Sequence, residues 1–99
     1  MKERRVYAVD LDWTLCEWEF RGEWEPTPKV ERINKINELY KKWSIILIYT
    51  ARNPAYFQLT YAWLIKYWVM HHWINMQHKP GADVYIDDKA INDKLFFND

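Results

Sequence analysis

Val6-Tyr7-Ala8-Val9-Asp10-Leu11-Asp12-Trp13-Thr14 is the most telling segment of this 99-residue chain. A short apolar run delivers two carboxylates, two positions apart, and then a hydroxyl. The run has strand length, and the first strand is read as about Arg5–Val9. A period of two sets Asp10 and Asp12 on one side of an extended chain, where their charges repel. At the end of a buried strand, such a pair calls for a cation or a proton to reconcile it. Trp13 is the discordant residue of the motif.

Outward from this strand the pattern alternates. Trp18, Phe20 and Trp24 bracket a turn at Arg21-Gly22, which predicts a small aromatic flap between residues 15 and 27. Thr27-Pro28 resembles an N-cap followed by proline in a first helical turn. Val30, Ile33, Ile36 (or Asn37) and Tyr40 follow at helical spacing, so a helix is expected to about Lys42. Ile45-Ile46-Leu47-Ile48-Tyr49 is a continuous apolar run, the mark of a central strand in a parallel sheet. Asn53-Pro54 repeats the cap-and-proline signal and opens a helix to roughly Tyr67. Its aromatic residues Tyr56, Phe57, Tyr61, Trp63 and Tyr67 are expected to pack the helix on the sheet rather than to form a ligand box. A weaker strand is expected near His72–Met76 and a short last one at Val84-Tyr85-Ile86. Strands alternating with helices predict an α/β fold, a single domain over residues 1–99 with a small parallel sheet.

The bulk composition excludes several classes. Ninety-nine residues suffice for one core, and 49% hydrophobic with 28% charged residues is globular. Basic and acidic residues balance at 14 each, so no net field indicates nucleic acid or a membrane surface. A single cysteine, Cys16, cannot form an internal disulfide and fits a reducing, cytoplasmic setting. No run approaches membrane length, and a signal-peptide pattern is absent from the N-terminus.

In an open parallel sheet, ligands bind beyond the carboxyl ends of the strands. Asp10, Asp12 and Thr14 follow the first strand, and Thr50 and Arg52 the second. Lys79 follows the weak third, and Asp87-Asp88 the last. Carboxylates, hydroxyls and cations therefore converge on one edge. Such a set suits phosphoryl transfer in two displacements, with one carboxylate as nucleophile and another as general acid and base. Several acids on one edge need a divalent cation, and all-oxygen ligands point to Mg²⁺. Thr50 and Lys79 are suited to phosphate oxygens on which charge builds.

The ordered set resembles the haloacid dehalogenase (HAD) superfamily. That family's four motifs are Asp-x-Asp-x-Thr, a strand-terminal Thr or Ser, a Lys and an acidic pair. Tyr49-Thr50-Ala51-Arg52 and the segment Lys79-Pro80-Gly81-Ala82-Asp83-Val84-Tyr85-Ile86-Asp87-Asp88-Lys89-Ala90 are similar to small, capless HAD phosphatase-like proteins of bacteria and phages. The resemblance implies a three-layer sandwich with a Rossmann-like HAD core and no cap domain. It implies Asp10 as nucleophile, Asp12 as general acid and base, and Thr50 and Lys79 as phosphate ligands. Mg²⁺ would be held by Asp10, the backbone carbonyl of Asp12, and Asp87 or Asp88. Arg52 either reaches the substrate or anchors its loop by a salt bridge. The implied partner is a phosphorylated substrate, either a small molecule or a polymer end. An uncapped site is open, so the substrate is bulky or a neighbouring subunit of a homo-oligomer supplies a lid. The alternative function is a catalytically silent HAD-like module that binds Mg²⁺ or phosphate, with Trp13 obstructing the site.

Tryptophan occurs seven times and glycine twice, whereas average usage gives about seven glycines in such a length. In the family, the position of Trp13 is usually glycine. Trp43 follows the first helix and Trp68 the second, where a left-handed residue, normally glycine, is expected. All three tryptophans thus stand at apparent glycine positions, and a negative φ at both 43 and 68 would sink that reading. His71, His72 and His78 are read as structural, since adjacent histidines on a strand face opposite ways. Cys16 has no histidine placed to activate it.

Overall fold

The computed structural model describes residues 4–17 and 25–87. Four parallel strands form one sheet: β1 (Val6–Asp10), β2 (Ile45–Thr50), β3 (Trp73–Met76) and β4 (Val84–Ile86), in spatial order β3-β2-β1-β4. Two helices connect them, α1 (Val30–Lys41) between β1 and β2, and α2 (Phe57–Lys66) between β2 and β3. The α/β fold with an all-parallel sheet is therefore as the sequence predicts.

Register explains which residues are core. Tyr7 stands opposite Ile46 and Val84, and Val9 opposite Ile48 and Ile86, with Ile74 beyond Ile48. Partners in register share a face, and this face meets Ile33 and Ile36 of α1 and Trp63 and Leu64 of α2 in one cluster. Both helices cover the same face, as right-handed crossovers stepping one way across a sheet require. Fully buried Ile36, Ile46, Ile48 and Leu64 each contribute about 1.5–3 kcal/mol of burial. Among the described residues the fold thus supplies two layers. The opposite sheet face carries Ala8, Asp10, Leu47, Tyr49 and Tyr85.

Two local readings need correction. Thr27-Pro28 does not cap α1, which begins at Val30 after Lys29 without a side-chain cap. Pro28 instead bridges Cys16 in antiparallel fashion, with Glu17 N–H donating to Thr27 O and Lys29 N–H to Leu15 O, both at 2.8 Å. Backbone recruited into a ladder is not available as a cap, and these bonds form the base of the expected flap. Its tip, with Trp18, Phe20 and Trp24, lies outside the described residues. On α2, only Trp63 and Tyr67 of the aromatic crowd pack inward, while Tyr56, Phe57 and Tyr61 are exposed. Thr60, Trp63 and Leu64 occupy the sheet side, which leaves Phe57 and Tyr61 on the flank. Asn53 caps as expected, its side chain accepting from Ala55 N–H at 2.8 Å, but it opens a single 3₁₀ turn (Pro54–Tyr56) ahead of α2.

Both helices end in left-handed tryptophans. φ is 82° at Trp43 and 59° at Trp68. Ser44 N–H donates to Leu39 O at 3.1 Å and Trp43 N–H to Tyr40 O at 3.2 Å. Val69 N–H donates to Leu64 O at 2.9 Å and Trp68 N–H to Ile65 O at 3.2 Å. This paired pattern is the Schellman motif, in which the residue just past the helix is left-handed and usually glycine. A side chain there costs roughly 1–2 kcal/mol.

Candidate active site

The strand order creates a switch point. From β1 the chain steps to β2 and then β3, and it returns to β4 on the other side of β1. Ligands of open α/β sheets bind in the crevice where the order reverses, beyond the carboxyl ends. Asp10 is the last residue of β1, and Asp87 follows β4 directly. Two predicted site carboxylates therefore flank the crevice.

Tyr49 joins them. It pairs in register with Asp10 and hydrogen-bonds Asp87. Burial, then the negative charges of Asp10 and Asp87, push its phenol far above the ordinary tyrosine range. Tyr49 thus keeps its proton and acts as a donor towards Asp87. The Lys79 ammonium lies 4.4 Å from the Tyr85 ring centroid and 5.9 Å from that of Tyr49. Both rings belong to the sheet face that carries Asp10, so the lysine lies on that side of the sheet.

A second group centres on Asp12. Extended geometry stops at Asp10, and residues 12–15 form a turn closed by Leu15 N–H to Leu11 O at 2.9 Å. The period-two argument consequently does not reach Asp12, whose carboxylate has its own partners. Thr50 Oγ1 donates to Asp12 Oδ2 at 3.0 Å, and Arg52 donates from Nη2 to Oδ1 at 2.6 Å. Arg52 Nε adds 3.2 Å contacts to both oxygens, and Nη1 donates to Thr60 Oγ1 at 3.0 Å. The side chains of Arg52 and Asp12 are only 4% and 13% exposed. Of the two roles open to Arg52, the salt bridge is the one formed, and its partner is Asp12 itself.

Trp13 sits between these groups in chain order. Its φ is 71°, the residue is 47% exposed, and its carbonyl accepts from Lys29 Nζ at 2.7 Å. Next to it Thr14 is fully buried, and its hydroxyl has no hydrogen-bond partner among the described residues. An orphaned buried hydroxyl costs about 1–3 kcal/mol, so this one is a place where a bound group has something to satisfy.

The donor chemistry suits Mg²⁺. Asp10 and Asp87 supply hard carboxylate oxygens at the switch point, and Mg²⁺ is commonly held by one or two carboxylates together with waters and substrate phosphate. Among the described residues no three His, Cys, Asp or Glu side chains close around one point. Asp88, the remaining predicted ligand, lies outside them. The carboxylate of Asp12 is turned to Thr50 and Arg52, so its predicted contribution to a cation falls to its backbone carbonyl.

Two residues of the site were missed in the sequence. Tyr49 hid inside an aliphatic strand, although its alternation with Thr50 places it on the opposite face. Thr60 anchors Arg52, and its signal was a hydroxyl on the apolar stripe with Trp63 and Leu64. The structural reading of two histidines holds, with His72 Nδ1 accepting from Ile46 N–H at 3.0 Å and His71 Nδ1 at 2.9 Å from Val69 O. Cys16 is buried, its thiol 3.6 Å from Leu11 O.

Comparison with known proteins gives the fold company. A crystal structure of a structural-genomics target from Vibrio cholerae superposes with a TM-score of 0.74 at 27% identity, covering 96% of this chain and 89% of that one. A conserved protein from Bacteroides thetaiotaomicron gives 0.73 at 13% identity, with 97% and 92% covered. A chain of the Pnkp1/Rnl/Hen1 complex gives 0.64 at 17% identity, and this protein spans 36% of its length. No protein-family profile and no curated protein matches the chain. No helix among the described residues is long and apolar enough to cross a membrane.

Proposed function

We propose that this protein is a Mg²⁺-dependent phosphomonoester hydrolase of HAD type that works through an aspartyl phosphate. The observation that carries the reading is that Asp10 and Asp87 stand at the carboxyl ends of the neighbouring strands β1 and β4, both beside Tyr49, with Asp12 held separately by Thr50 and Arg52. In the first step an Asp10 oxygen attacks phosphorus, the bond to the leaving oxygen breaks, and Asp12, after taking up a proton from solvent as substrate binds, donates that proton to the leaving oxygen. In the second, Asp12 takes a proton from water as the water oxygen attacks phosphorus. Inorganic phosphate leaves and Asp10 is regenerated. Lys79 stabilises charge on the phosphoryl oxygens, and the Thr50 hydroxyl joins it once its hydrogen bond turns from Asp12 to the phosphate. Arg52 fixes the Asp12 rotamer so that one carboxyl serves both steps. Mg²⁺ would be held by Asp10, the Asp12 backbone carbonyl and Asp87 or Asp88, and when bound it would supply charge neutralisation.

The test is release of phosphate from an aryl phosphate with and without Mg²⁺, for the parent, Asp10→Asn and Trp13→Gly. Mg²⁺-dependent turnover abolished by Asp10→Asn is expected. No turnover by either the parent or Trp13→Gly sinks the hydrolase. One observation favours the second reading, a silent phosphate-binding module: a bulky indole sits in the turn that joins Asp12 to Thr14. Turnover by Trp13→Gly alone identifies an intact but obstructed site.

A further inference from the structure

We propose that positions 13, 43 and 68 are glycine in the protein as its own cells make it. Their codon would be one that those cells read as glycine and other codes read as tryptophan. Four described residues other than glycine have positive φ, namely Trp13, Trp43, Trp68 and Gln77. Three of the four are tryptophan, although only five described residues are tryptophan at all. Bulky residues are the worst occupants of this region, where asparagine and aspartate are the usual substitutes for glycine. Meanwhile Gly81, the one described glycine, is not left-handed, and a Cβ there would meet nothing within 4 Å. The residue type made for left-handed backbone is thus missing where the backbone needs it.

The backbone at these positions is not an incidental distortion. At 43 and 68 it closes two complete Schellman motifs, whose bonds form only if that residue is left-handed. The indoles do little in return. Trp68 is 81% exposed and Trp43 65%, and Trp43 gains only a surface stacking contact with Arg4. Trp63 is the contrast. It is buried, has ordinary helical backbone, and its Nε1–H donates to Pro26 O at 2.9 Å. Trp63 has the burial and bonding of a genuine tryptophan, and 13, 43 and 68 have the geometry of glycine.

A shared codon accounts for this, and selection on the protein does not. Single-base changes from glycine codons lead to several residues, and drift would scatter them. One identical, ill-fitting residue at three separated positions is the signature of one codon. UGA has that property: it is a stop in the standard code, tryptophan in several variant codes and glycine in another, and it lies one base from the glycine codon GGA. Glycine at 13 also removes the indole beside Asp12, whatever chemistry the site performs.

Two measurements test this. The gene should carry UGA at 13, 43 and 68 and the other tryptophan codon, UGG, at 63. UGG at any of the three overturns the proposal. Peptide mass spectrometry of the protein isolated from the cells that encode it should find glycine at 13, 43 and 68 and tryptophan at 63. Tryptophan at any of the three overturns it as well, including where the codon is UGA.

Discussion

Arg52 shows how much one side chain can hold. It spans Asp12 and Thr60 while almost fully buried, so truncation leaves a carboxylate without its cation in a dry site. Breaking such a pair costs about 3–5 kcal/mol. Arg52→Ala should therefore lower the unfolding free energy measured in urea by that order, and Arg52→Lys should restore only part of it, since one ammonium cannot reproduce the fork. Position 13 is the other residue-scale lever. Trp13→Gly is expected to raise phosphatase turnover relative to the parent, read by Mg²⁺-dependent phosphate release, because it relieves left-handed strain and clears the turn after Asp12.

At the scale of elements, the helix ends set the balance. A left-handed side chain costs roughly 1–2 kcal/mol, while glycine returns part of this through the freedom of the unfolded chain. Trp68→Gly should stabilise the fold by about 0.5–1 kcal/mol in chemical denaturation, after that offset. Trp43→Gly should fall closer to neutral, because it also gives up the Arg4 stacking, worth about 0.5–1 kcal/mol at an exposed site. At the other end of α2, Asn53 accepts from Ala55 N–H, and Asn53→Ala should cost about 1 kcal/mol. Much of this was legible in the sequence. Asn53-Pro54 read correctly because a cap acts within three residues. Thr27-Pro28 did not, because the flap's strand pairing across residues 15–29 claimed the same backbone.

For the molecule as a whole, stability should depend on pH through His72. Partial burial, then the charge of Arg4, lower its pKa below the ordinary histidine value, while its Nδ1 accepts from Ile46 N–H. A base whose folded pKa is depressed binds fewer protons folded than unfolded just below pH 6.5, so stability falls with falling pH there. The contribution is present above about pH 6.5 and is lost on acidification through that range. Thermal midpoints should drop between pH 7 and pH 5, and His72→Asn, whose carbonyl can still accept from Ile46, should flatten the profile. An unchanged slope in His72→Asn would assign the dependence elsewhere.

By itself the sequence determined the strands and helices, the parallel α/β class and most of the residues at the carboxyl edge. Those features follow from periodicity, apolar runs and caps, which act over a few residues. It also marked 43 and 68 as left-handed, since a helix end has few ways to close. Tertiary structure decided that β4 lies beside β1, and hence that Asp10 and Asp87 meet at a switch point with Tyr49. It also decided that Asp12 turns away to Thr50 and to Arg52, which Thr60 anchors. These are contacts between residues many positions apart, and only the packed sheet brings them within reach of one another.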